Sequence, residues 1–116
     1  KRLQWFDMDG KFVKELGGFV KPADADIRGD VLMVPDVGAQ VSLFDKDNKL
    51  IVHLGHDKAW QADCMNRKKG IRDKPNLWQP GKFVHPHDAC FDADGNIFVT
   101  EYVRTGRVSK LRKVGA

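Results

Sequence analysis

A chain of 116 residues with a formal net charge of +4 and 31% charged residues is only mildly basic, so its charge alone does not argue for a polyanion partner. No apolar run reaches the length that crosses a membrane as a helix. The two cysteines, Cys64 and Cys90, have neither metal-type spacing nor a second pair, which excludes a cysteine-based zinc module.

Taken in order, the first extended runs lie within residues 3–17, on either side of Asp7-Met8-Asp9-Gly10. Leu3-Gln4-Trp5-Phe6-Asp7 then returns as Val41-Ser42-Leu43-Phe44-Asp45, and the likeness runs on without a gap to Gly17 and Gly55 at a constant offset of 38 residues. Between the two copies and through the second, four runs are predicted as strands: Ala23 to Arg28, Val31 to Pro35, Gln40 to Asp45 and Lys49 to Leu54. They are separated by Arg28-Gly29-Asp30, Asp36-Val37-Gly38-Ala39 and Lys46-Asp47-Asn48, rich in residues that accept positive φ or bond their own backbone. Residues 19–55 are therefore expected to form a four-stranded antiparallel meander.

Residues 56–82 interrupt the pattern and read as a long loop insertion with no convincing amphipathic helix. Its basic residues include Lys68 and Lys69, and it carries Trp60 and Trp78. These four are candidate contacts for a ligand or, less favoured, a nucleic acid; a solvated loop anchored by its indoles is the other reading.

Past the insertion, Phe19-Val20-Lys21-Pro22-Ala23-Asp24-Ala25 reappears as Phe83-Val84-His85-Pro86-His87-Asp88-Ala89. Residues 83–116 then supply the first three strands of another unit, as residues 1–18 supply the last two of an earlier one. Val31-Leu32-Met33-Val34 and Ile97-Phe98-Val99 are apolar on both faces, as befits sheets packed between neighbours. A copied unit of about 40 residues made of short strands reads as a propeller blade. The expectation is an all-β partial β-propeller of about two to two and a half blades, too few for a ring of about four to eight. The remaining blades would come from a longer chain or from other copies of this one.

The run Phe-x-x-Pro-x-Asp-Ala, a turn, an apolar strand and Arg-Val-x-x-Leu, here Phe83 through Leu111, resembles the NHL repeat. The copy from Phe19 through Phe44 resembles it too, with Gln40-Val41 in place of Arg-Val. The resemblance implies a six-bladed propeller. Phe83-Val84-His85-Pro86-His87-Asp88 is more closely similar to the blade motif of the peptidyl-α-hydroxyglycine α-amidating lyases. That likeness implies His87 as a zinc ligand, Asp88 as a calcium-associated aspartate, and Tyr102 and Arg104 as catalytic candidates, with Arg107 structural. It also favours an extracellular or periplasmic location.

A neutral imidazole is a good zinc ligand, but a catalytic zinc takes about three protein ligands, and the chain offers one at the required repeat position. Three function classes follow: a propeller segment that binds a small ligand, peptide or protein; part of a zinc-dependent peptidylamidoglycolate lyase-like enzyme; or an architectural repeat. Asp7-x-Asp9-Gly10, Asp45-x-Asp47-Asn48 and Asp92-x-Asp94-Gly95 resemble the start of a calcium loop but lack the glutamate at its twelfth position, so hairpin turns are expected. Spacing alone leaves a Cys64–Cys90 disulfide open.

Overall fold

In the computed structural model, which describes residues 1–115, the chain folds into three small open antiparallel sheets and one short helix. Sheet 1 pairs β1 (Leu3–Phe6) with β2 (Phe12–Leu16). Sheet 2 runs in simple order through β3 (Asp26–Arg28), β4 (Val31–Asp36), β5 (Gln40–Phe44) and β6 (Leu50–Leu54). Sheet 3 contains β7 (Pro86–Phe91), β8 (Ile97–Glu101) and β9 (Arg107–Leu111). The first strand of sheet 2, β3, is shorter than predicted: the chain touches β4 through Ala23 N–H to the Pro35 carbonyl, then pairs regularly only from Asp26. Ala116, which closes the expected last segment, lies outside the described residues.

One turn chemistry is used three times. Asp7, Asp45 and Asp92 each accept, through Oδ1, the amides of the residues two and four positions on, at 2.8–3.0 Å. These carboxylates close hairpins by capping the turn backbone, as expected. Their pKa values at Asp45 and Asp92 fall accordingly; at Asp45 the largest cause is the Lys49 amide, and at Asp92 it is the Asn96 side-chain amide.

The sheets stack face to face, and the same interface is built twice. Leu3, Trp5 and Leu16 of sheet 1 pack on Phe19, Leu32, Val34 and Phe44. Their repeat equivalents Val41, Leu43 and Leu54 pack on Phe83, Ile97, Val99 and Leu111. Strand alternation explains this: along β4, Leu32 and Val34 face sheet 1 while Met33 turns to sheet 3, so both faces of the middle sheet are covered. Full burial of Met33, Val34 and Val41 follows.

The insertion is not a loop throughout. Lys58–Met65 forms helix α1, with Asp57 as N-cap accepting the Trp60 amide at 2.9 Å, followed by single 3-10 turns at Ile71–Asp73 and Pro75–Leu77. Trp60 and Cys64, one turn apart, pack with Ala39, Ile71, Val84 and Val103, which pins the insertion against sheets 2 and 3. Among the described residues no helix is long and apolar enough to cross a membrane.

Candidate functional site at the inner-strand end

Two buried acids fix the chain ahead of the first strands of sheets 2 and 3. Asp36, at the end of β4, accepts the Val20 amide through Oδ2 and those of Lys21 and Gly38 through Oδ1, at 2.8–2.9 Å. In sheet 3, Glu101 at the end of β8 accepts the Val84 amide at 2.9 Å and is held by the Arg107 guanidinium at 2.9 and 3.1 Å. Arg107 also donates to the Lys82 carbonyl, so its role is structural. Gln40 stands where sheet 3 has Arg107, and its buried Oε1 has no hydrogen-bond partner.

The Glu101–Arg107 clamp holds the start of the segment from 83 to 88 through Lys82 and Val84. His85 is buried and its Nδ1 lies 2.8 Å from the Val37 carbonyl, an acceptor only, so Nδ1 carries the proton. The Tyr102 amide donates to the His85 carbonyl at 2.9 Å. A register shift between Pro86 and Asp88 lets the chain bury His85 and expose His87, so the two histidines do not share a surface.

His87 lies against Tyr102, ring centroids 5.7 Å apart at 50°. The Arg72 guanidinium centre sits 4.6 Å from the Tyr102 ring centroid. Arg72 is positioned from the insertion: its carbonyl accepts the Arg104 amide at 3.1 Å, and the Ile71 carbonyl next to it accepts Trp78 Nε1 at 2.7 Å. The arginine brought to the tyrosine is therefore Arg72; Arg104 enters only through its backbone. Nothing in the repeat pattern could have found Arg72, because it lies in the segment without repeat equivalents.

Beside this group, Asp88 meets Asp24 in the segment that leads into β3. The hydrogen bond that the protonated Asp88 carboxyl donates to Asp24 is the largest cause of its raised pKa, with burial second. Such a pair holds one proton more readily than two separated carboxylates. Asp88 stays exposed. Among the described residues no three His, Cys, Asp or Glu side chains converge as a metal ion requires. His87, Asp88 and Asp24 thus do not make a zinc site by themselves, and no metal-dependent step is derived from them.

Trp60 is buried and donates Nε1 to the Phe83 carbonyl at 2.7 Å, while Trp78 is half-buried with the Arg107 guanidinium centre 5.5 Å from its ring. Both indoles anchor the insertion through these contacts and, for Trp78, the bond to the Ile71 carbonyl. Lys69 is engaged with Asp63, and Lys68 is exposed. Ser42 Oγ and His53 Nδ1 lie 2.8 Å apart, but Ser42 is fully buried and the Asp36 carboxylate is occupied by backbone amides, so no hydrolytic triad forms. Burial, then His56, lowers the His53 pKa. Both cysteines are free; Cys64 is buried and its thiol is pushed up to about 12, chiefly by that burial, and Cys90 is exposed. No family model, curated protein or solved structure matches the chain.

Proposed function

We propose that the three sheets are successive blades of an NHL-type six-bladed propeller, and that the chain binds a ligand or partner at the inner-strand end where His87, Tyr102 and Arg72 meet. Support for the propeller comes from the twice-built interface, in which residues at constant repeat offsets make equivalent contacts. Further blades, from a longer chain or other copies, continue the stack. The binding reading rests on one observation: a guanidinium stacked on a phenol with an imidazole against the same ring. These groups present hydrogen-bond donors and one full positive charge at an exposed edge, which suits a small ligand or peptide with a carboxylate.

N-acetylglycine is a suitable probe. Titrated into the protein, it should shift the Tyr102 ring and His87 resonances by NMR, and Arg72→Ala should remove the response. No response from the unmodified chain, or a response that persists undiminished in Arg72→Ala, would contradict the reading.

The second reading, a zinc-dependent amidating-type lyase, is favoured by the adjacency of His87 and Tyr102, the residues the motif likeness singles out. It requires further ligands from other blades. In the assembled propeller, His87→Ala should then lower zinc content while His53→Ala leaves it unchanged. Protein that purifies without zinc, and is indifferent to His87→Ala, would leave the binding reading alone.

A further inference from the structure

At the opposite end of the inner strands from His87, a cleft of ≈ 360 Å³ opens between sheets 2 and 3. Its volume falls in the lower part of the range for ligand pockets, about 300–1,000 Å³. Leu43 and Leu54 from sheet 2 and Phe91, Ile97 and Leu111 from sheet 3 form its walls. Arg28, Arg112 and Lys113 stand at its rim. Arg28 donates to the Ala93 carbonyl at 2.8 Å, and among the described residues no ion pair involves any of the three cations.

The repeat supplies an internal comparison. The cleft in the corresponding place between sheets 1 and 2 is smaller, ≈ 260 Å³, and has the Trp5 indole where this one has Leu43. Its boundary mixes Asp30 and Asp45 with Lys14 and Lys46. Two clefts made by one interface thus differ in the two properties that select a ligand: one is crowded and mixed in charge, the other is roomier, apolar inside and lined at the rim by cations alone.

The geometry points to the second cleft as a binding site for a medium-chain alkyl carboxylate, with the chain between the sheets and the carboxylate among Arg28, Arg112 and Lys113. Burial of the chain supplies the attraction and the rim fixes its direction. The site is separate from the His87 group, and its test does not depend on the function proposed there.

Methyl NMR of the 116-residue chain, titrated with sodium octanoate and separately with 1-octanol, tests it. Octanoate should shift the methyls of Leu43, Leu54, Ile97 and Leu111 and bind more tightly than octanol. Arg28→Gln and Lys113→Gln should each weaken octanoate about fivefold and leave octanol unchanged. Leu43→Trp, which copies the crowded cleft, should abolish both. Shifts spread over the exposed Val13, Ile51 and Val108 instead, octanoate binding by either rim variant equal to that of the unmodified chain, or undiminished binding by Leu43→Trp, would each overturn the site.

Discussion

Asp36 shows how one side chain decides the course of a strand. Its carboxylate serves three backbone amides in a site with no solvent exposure. Asp36→Ala leaves those donors unpaired, and urea denaturation should report a loss of about 3–5 kcal/mol. Thiol chemistry separates the cysteines: iodoacetamide at mildly alkaline pH should alkylate Cys90 and spare Cys64 in the native protein, read by mass spectrometry, since one thiol is exposed and the other is pushed up to about 12. His53 and Asp88 carry opposite pH signatures. A histidine whose folded pKa is lowered from 6.5 stabilises the fold above that value and withdraws this as pH falls through the folded pKa. A carboxyl raised from 3.8, as at Asp88, favours the fold below that value and ceases to as pH rises through its folded pKa. Melting curves of His53→Gln should therefore lose part of the decline in stability below pH 6.5, while Asp88→Asn should lose part of the decline that begins above the unfolded carboxyl value. The hairpin aspartates were legible in the sequence because they recur at a fixed repeat place, and the structural role of Arg107 was expected from the motif likeness although Gln40 takes its place in sheet 2. Arg72 and the His85 bond to Val37 were not, since both depend on contacts between segments far apart in the chain.

At the scale of elements, strand order and sheet membership follow from the repeat, and the offset of 38 residues places Trp5 and Leu43 in equivalent strands of adjacent sheets. Helix α1 was invisible to the same reasoning. Its eight residues bury only Trp60 and Cys64, one pair at helical spacing, which is too short a pattern to show periodicity. Tertiary contacts carry it: the Trp60 indole bonds the Phe83 carbonyl, and Gln61 Nε2 donates to the Gly38 carbonyl. The junction from β6 into the insertion depends on Gly55. It has φ +71°, and an added Cβ would stand 2.6 Å from the Phe83 ring. Gly55→Ala should therefore combine backbone strain with overpacking and cost about 2 kcal/mol by chemical denaturation. An unchanged midpoint would show that the Phe83 contact adjusts freely.

For the molecule as a whole, the twice-built interface leaves two faces without a cover. On sheet 1, Phe6 and Phe12 meet edge to face at 6.2 Å and each is 56% exposed, whereas Phe44, the repeat equivalent of Phe6, packs against Phe19 at 5.7 Å. On sheet 3, Val108 is 66% exposed, while Val41, its equivalent, is fully buried against a neighbouring sheet. Each face is shaped for a like sheet of the same repeat, and the two faces are complementary rather than identical, so association between copies would be head to tail. The isolated chain should therefore self-associate. Sedimentation velocity on two capped variants tests this most directly. Phe6→Lys and Val108→Lys each block one face and leave the other intact. The account predicts that the unmodified chain associates with rising concentration, that each variant alone is monomeric, and that their equimolar mixture forms a single heterodimer. An unmodified chain that stays monomeric at every concentration, or a mixture that never pairs, would contradict it.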